Sequence, residues 1–290
     1  MTGRLRIAVC TNRSPAEAAE SLAALREQAP AEDVVVVTSG LPADAAPGFG
    51  DSVLVEPRPG LSRARNRALD WCSEDDVIAF VDDDAVVCSG WFAGLLRAWE
   101  AAPEIVACIG GPIRPRWPAD GPPGWISEPI LPALTLLDLG PEPCDLDPFV
   151  TTVYGANVSF RVSALRRIGG FDPAFGHSGT RIFFSEEDEA QRALARLGYG
   201  VRYVPDAAVE HVIPKSRLAR ASFLRRRFAY GATMGVRRAR PLTLAARQAL
   251  SSTAGAMAAI GSQRLFMERA VRAAENLGVL YGSTRPRRIA

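Results

Sequence analysis

An α/β fold with a largely parallel central sheet is predicted from this sequence by three features. Short strand-like runs alternate with amphipathic helical stretches. The segment Val77 to Val81 is apolar at every position, as a strand covered on both faces requires. Three consecutive acids, Asp82-Asp83-Asp84, stand directly after it. In such sheets ligands bind at the carboxyl ends of strands, so the acids sit at a candidate site.

The elements follow in order. Arg4 to Cys10 reads as the first strand, and Ser14-Pro15 supplies an N-cap and N1 proline for an Ala/Glu-rich helix reaching about Gln28. A strand at Asp33 to Thr38 is followed by a Pro/Gly/Ala loop from Ser39 to Gly50 and a short strand at Val53 to Glu56. Ser62 to Trp71 is expected as a helix capped by Ser62, and Val77 to Val81 as the next strand. A helix over Gly90 to Glu100 and a strand over Ile105 to Ile109 precede Gly110 to Pro148, whose prolines and tryptophans suggest a functional loop region. The pattern resumes at Thr152 to Arg161, with a helix at Ser163 to Ile168 and a Gly169-Gly170 break. A second helix runs from about Glu186 to Leu197 and stops at Gly198. Gly200 to Val204 is a further strand leading through Pro205-Asp206 to His211. From Leu218 onward the chain reads as helical and Arg/Ala-rich, with breaks at Gly231, Gly235 and Pro241, and there is no internal repeat.

With 290 residues, 48% of them hydrophobic, the chain can bury a full core. The net charge of +2 gives no global case for nucleic acid, and none is expected as a partner. Cys10, Cys72, Cys88, Cys108 and Cys144 are scattered, without metal-binding spacing, and read as free thiols in a reducing compartment. Apolar runs fall far short of the roughly 18 to 20 residues that span a bilayer, and no secretory segment follows Met1. A cytoplasmic location is expected, with the inner membrane face as an additional site.

A hard cation such as Mg²⁺ or Mn²⁺ prefers carboxylate oxygens and keeps water and substrate oxygens as its other ligands. On an extended backbone Asp82 and Asp84 share a side and meet that need, while Asp83 points elsewhere. Three adjacent acids taken alone suit a solvated loop equally well.

The run Pro59-Gly60-Leu61-Ser62-Arg63-Ala64-Arg65-Asn66-Arg67-Ala68, followed by Val77 to Asp84, resembles the donor-binding half of family 2 glycosyltransferases. The second half also matches: Tyr154-Gly155-Ala156-Asn157-Val158-Ser159-Phe160-Arg161, Gly169-Gly170-Phe171-Asp172, Ser185-Glu186-Glu187-Asp188-Glu189, Gly198-Tyr199, and Val204-Pro205-Asp206 up to His211. The resemblance implies a GT-A fold, a Rossmann-like, mostly parallel sheet flanked by helices. It divides residues 1–217 into a nucleotide-sugar half (1–110) and an acceptor half (111–217), with a helical extension over 218–290. It further implies an inverting hexosyltransferase with a nucleoside-diphosphate sugar as co-substrate and Mg²⁺ or Mn²⁺ as cofactor. The acceptor it implies is a hydroxyl of a glycan, a glycolipid or a natural product.

Residue by residue, the resemblance puts the metal-bound diphosphate on Asp82 and Asp84 of a DXD motif, with His211 as a further metal or diphosphate contact. Asp83 adjoins the donor site. Catalytic base duty falls to Glu187, with Asp188 and Glu186 as alternatives; acids at a helix N-terminus are also common for dipole reasons. Donor contacts are expected from Thr11, Asn12 and Arg13 after the first strand, and from Arg65 and Asn66. Where the family has an aspartate after the second strand, this chain has Thr38-Ser39-Gly40; Thr38 or Ser39 is expected to hydrogen-bond the base or ribose without the charge, which leaves the nucleotide base open.

His177 reads as a loop residue near the acceptor. Asn157-Val158-Ser159 matches a glycosylation sequon that a cytoplasmic enzyme would not use. Trp117 and Trp125 suit either an acceptor platform or core packing. The basic stretch from Arg217 to Arg240, interleaved with Phe223, Leu224, Phe228 and Tyr230, suits a solvated face, closure over the diphosphate, or peripheral contact with an anionic membrane. Two other readings fit the sequence less well. A nucleotidyltransferase would want a glycine-rich phosphate loop that Thr11 to Ala19 lacks, and a degenerate binding fold would not need Asp82, Asp84 and Glu187 intact.

Overall fold

The computed structural model describes residues 3–50, 52–174, 177–178, 181–182, 186–237 and 241–284. They form two compact units, one over 1–115, 137–179 and 185–212, the other over 116–136, 180–184 and 213–290.

In the first unit the elements are β1 (Leu5–Thr11), α1 (Pro15–Arg26), β2 (Val34–Ser39), β3 (Val53–Glu56), α2 (Leu61–Trp71), β4 (Val77–Asp82), β5 (Ala85–Val87), α3 (Trp91–Ala101), β6 (Val106–Gly110) and β7 (Ile113–Arg116). They continue with β8 (Cys144–Leu146), β9 (Asn157–Arg161), α4 (Val162–Arg167), β10 (His177–Ser178), β11 (Arg181–Ile182), α5 (Glu186–Arg196), β12 (Gly200–Tyr203) and β13 (Val209–Val212), with β11 falling in the second unit. Eight strands make one sheet in the order β3-β2-β1-β4-β9-β6-β12-β8. The expected mixed α/β, GT-A-like architecture is therefore present, with one refinement: β9 runs antiparallel between β4 and β6, and β8 antiparallel on β12. The chain proceeds outward from β1 through β2 to β3, then returns to β4 on the other side of β1. This reversal makes the carboxyl ends of β1 and β4, where Cys10 pairs with Asp82, the switch point of the sheet, the place where ligands bind in such folds.

Local chemistry explains most boundaries. The Ser14 backbone N–H donates to the Glu17 carboxylate at 3.0 Å, and Pro15 begins α1. The expected cap at Ser62 moves two residues back: Gly60 is the N-cap of α2, and Ser62 is buried in its first turn. Trp91 and Trp99 of α3 are buried, and each indole N–H is satisfied from β9. Trp91 donates to Asn157 Oδ1 at 3.0 Å and Trp99 to Ser159 Oγ at 2.9 Å. These bonds explain why the sequon-like Asn157 and Ser159 lie inside the core. The region 110–148 is less irregular than its prolines suggested, since it holds β7, a 3₁₀ segment at Glu128–Leu134, and β8. All five cysteines are free thiols.

The second unit is dominated by α6 (Arg220–Val236), α7 (Leu242–Ala258) and α8 (Gln263–Ser283). Gly231 and Gly235, expected as helix breaks, lie inside a continuous α6. Their function is packing: a Cβ on Gly231 would stand 1.9 Å from the Glu275 carbonyl oxygen, and one on Gly278 2.1 Å from that of Phe228. Glycine on both helices lets the α6 and α8 backbones touch. Trp125 is buried edge-to-face against Phe223 at 5.3 Å, so of its two expected roles core packing is the one observed, while Trp117 is half-buried. Among the described residues no helix is long and apolar enough to cross a membrane.

Candidate active site

Two acidic clusters and one buried arginine make up the candidate site. The first cluster begins where β4 ends. Asp82 closes the strand, Asp83 and Asp84 form the turn into β5, and the extended backbone expected to align Asp82 with Asp84 is therefore absent. The turn divides the three side chains differently. Asp83 and Asp84 both face Arg13, at 3.4 and 2.8 Å, whereas Asp82 faces Arg65 at 3.6 Å. Asp82 is the accessible member, its side chain 34% exposed against 8% for Asp84.

Asp83 is an anchor of this turn. Thr11 Oγ1 donates to its carboxylate at 2.5 Å, and Ser21 Oγ donates to its backbone carbonyl at 3.0 Å. Burial raises its pKa to about 6, opposed by the Thr11 bond and by Arg13 and reinforced by Asp84 and Asp82. Thr11 also accepts from the Arg13 backbone N–H at 3.0 Å, and Asn12 between them is exposed.

His211 reaches the cluster through strand pairing. β13 lies antiparallel to β5 with His211 opposite Ala85, and the Val212 N–H donates to the Asp84 carbonyl at 2.8 Å. This register sets the buried His211 Nε2 3.3 Å from Asp84 Oδ1. Neighbouring ligands around an octahedral ion at about 2.1 Å stand about 3 Å apart, so the two atoms fit adjacent corners of a Mg²⁺ or Mn²⁺ shell. Among the described residues no three His, Cys, Asp or Glu side chains form a group that could hold a metal ion by themselves.

The second cluster occupies the first turn of α5, and its members have distinct surroundings. Glu186 is buried, with Oε1 2.8 Å from Arg65 Nη1. Asp188 accepts from Thr152 Oγ1 at 2.6 Å and lies 4.0 Å from Arg192. Glu187 keeps 15% of its side chain exposed and accepts from the Gly155 N–H at 3.1 Å. Burial first, then repulsion from Glu186 and Asp188, lifts its pKa to about 8 against the pull of Arg65. A carboxyl with that poise can take a proton near neutral pH, where the other two are committed to partners.

Arg65 joins the clusters. Its guanidinium, 2% exposed, lies over the Phe80 and Phe171 rings, donates to the Gly155 carbonyl at 3.0 Å, and reaches Glu186, Glu187 and Asp82. Burial works against its charge, but the three carboxylates outweigh that and raise its pKa. Gly155 is required here, because a Cβ would stand 2.4 Å from Arg65 Nη2.

Three residues expected at the donor have their side chains engaged within the protein. Arg65 is an enclosed counterion and not a helix-surface side chain. Asn66 clamps the Phe171 backbone, donating at 2.7 Å and accepting at 2.8 Å. Thr38 is buried, its hydroxyl donating across to the Leu54 carbonyl at 3.5 Å. Sequence reading missed Thr152 and Gln191. The latter brackets Val153, accepting from its N–H at 3.0 Å and donating to its carbonyl at 2.8 Å. Their only signal was adjacency to the Tyr154-Gly155 and Glu187 motifs. The side chain of His177, together with Ser185, Arg238 and Arg240, lies outside the described residues.

Residues 77–267, well over half the chain and spanning both clusters, match the model of glycosyl transferase family group 2. The chain belongs to that family. Among curated relatives of this family-2 protein, a glucosyl-dolichyl phosphate glucuronosyltransferase of Haloferax volcanii is 29% identical over 159 residues, 52% of this chain and 47% of that protein. The chain thus spans about half the length of that relative. The succinoglycan biosynthesis protein ExoM of Rhizobium meliloti is 28% identical over 247 residues, 81% of this chain and 75% of that protein. A mannosyltransferase from Pyrobaculum calidifontis, solved with GDP-Man and Mn²⁺, shares the fold with a TM-score of 0.61 at 18% identity, over 97% of this chain and 88% of that one.

Proposed function

We propose that this family-2 protein transfers a hexose-type sugar from a nucleoside-diphosphate donor to an acceptor hydroxyl, with inversion. The reading is carried by the separation of labour between Asp84–His211 and Glu187, two chemically distinct sets, with Arg65 reaching both Asp82 beside the first and Glu187 itself. In this proposal residues 1–110 hold the donor, 111–217 the acceptor, and 218–290 form a helical extension. A cytoplasmic location suits the free cysteines.

Asp84 and His211 would hold Mg²⁺ or Mn²⁺, and the accessible Asp82 would face the donor. Bound there, the cation would neutralise charge developing on the departing diphosphate. Glu187 Oε2 takes the acceptor proton as the acceptor oxygen bonds to the anomeric carbon. The bond from that carbon to the diphosphate oxygen breaks on the opposite face, and the nucleoside diphosphate leaves with the electron pair. Arg65 and the Gly155 N–H hold Glu187 in place. Arg13 keeps the Asp83–Asp84 turn in shape.

Support for a nucleotide-sugar donor and a divalent cation comes from the GDP-Man and Mn²⁺ of the Pyrobaculum calidifontis fold relative. The names of the curated relatives support a lipid-linked or polysaccharide acceptor. The test is incubation with a panel of nucleotide sugars, with and without Mn²⁺, following nucleoside diphosphate release. Metal-dependent release from one donor is expected, and no release from any donor with or without Mn²⁺ would remove the proposal.

A further inference from the structure

The exposed face of α7 carries an apolar stripe that the transfer chemistry does not use. Leu242, Leu250, Met257 and, just past the helix end, Ile260 fall at i, i+8, i+15 and i+18, within about a quarter of the helix circumference. Their exposures are 51, 74, 64 and 73%. The buried face of the same helix is lined by Ala245, Ala249 and Ala256, so its large side chains point to solvent and its small ones inward. That inverts the usual arrangement of a helix at the surface of a soluble protein.

Charge identifies the occupant. From His211 to Met267 the sequence holds one lysine and ten arginines and no aspartate or glutamate, although the whole chain is nearly balanced at 34 basic and 32 acidic residues. Some of these cations are neutralised within the fold, Lys215 by Asp120 and Arg227 by Glu275. Arg225, Arg247 and Arg264 are exposed. An exposed apolar stripe on a stretch of chain that carries arginines and no acid is the pattern of a helix lying in the plane of an anionic bilayer. A second copy of this chain would bring the same cationic region against itself, and like charges disfavour that contact. Single-stranded nucleic acid would call for aromatic stacking platforms, which Leu242, Leu250, Met257 and Ile260 do not supply.

We infer that α7 docks this protein on an anionic lipid surface, the stripe from Leu242 to Ile260 entering the headgroup boundary and the arginines meeting lipid phosphates. The inference stands on α7 and the arginines of the neighbouring helices and does not depend on the transfer reading. It would bring the protein to membrane-held molecules.

Vesicle flotation of the full chain tests it, with phosphatidylcholine vesicles against vesicles containing phosphatidylglycerol. Wild type is expected to float with the anionic vesicles and to dissociate as salt rises. The Leu250→Glu/Met257→Glu double variant should bind at least tenfold more weakly, and Leu250→Trp at least as tightly as wild type. Circular dichroism checks the fold of each variant. Three results would overturn the inference: no flotation with anionic vesicles, equal flotation of wild type and the double variant, or a wild-type dimer by light scattering that the double variant loses. Donor hydrolysis in lipid-free buffer is measured alongside; its absence in wild type counts against the transfer proposal only.

Discussion

Arg65 of α2 and Glu186 of α5 form an ion pair closed off from solvent, Nη1 to Oε1 at 2.8 Å with side chains 2% and 3% exposed. Removing one partner of such a pair strands the other charge, at a cost of about 3–5 kcal/mol. Arg65→Met should lower stability to urea by that order, and Arg65→Met/Glu186→Met should recover most of it. A single variant as stable as wild type would show that the pair is not closed to water.

Glu187 sets the expected pH dependence. With its pKa at about 8, the deprotonated base grows with pH, so kcat/KM should climb through the neutral range and level off above about 8. The linkage sign follows from the same shift. A carboxyl raised in the folded state favours its protonated form, so its contribution is full below the unfolded value near 4.5 and is lost as pH rises towards 8. Thermal melts should therefore show Glu187→Gln gaining on wild type between pH 5 and pH 9. A constant difference across that window would contradict the assignment.

The Asp84–His211 pair predicts a coupled loss. Stabilisation of the wild type by a nucleoside diphosphate should require Mn²⁺, and either Asp84→Asn or His211→Ala should abolish the metal dependence in a thermal-shift assay. Because Asp82 faces Arg65 instead, Asp82→Asn should weaken donor binding while leaving metal dependence detectable. If Asp82→Asn and Asp84→Asn behave alike, the division made by the β4–β5 turn has no functional meaning.

The α6–α8 contact gives a prediction confined to the second unit. Gly231→Ala places a Cβ 1.9 Å from the Glu275 carbonyl oxygen, so the helices must separate. Overpacking of this kind costs about 1–3 kcal/mol. Limited proteolysis should then cleave α6 or α8 sooner than in wild type.

Much of the fold was legible because apolar runs and capping residues act locally: Pro15 starts α1, Gly198 ends α5, and Val77 to Val81 is a buried strand. The family was legible because its motifs kept their order. What sequence could not give was contact across distance. Arg65 read as a donor ligand because its neighbours in the chain belong to the donor motif, yet its partners come from α5 and the Gly155 loop. Asp82, Asp83 and Asp84 read as an extended run because nothing local marks the turn that divides them. Gly231 and Gly235 read as breaks because glycine disfavours helix, and only α8 across from them supplies the reason for their size.

The central claim is that Glu187 is the proton acceptor of a sugar transfer, and it is tested most directly by turnover and donor affinity measured together for Glu187→Gln. Substitution of a general base removes on the order of a hundredfold to ten-thousandfold in rate. Nucleoside diphosphate release should fall on that scale, while the donor Kd by calorimetry stays at the wild-type value. Wild-type turnover in the variant, with donor binding intact, would contradict the account.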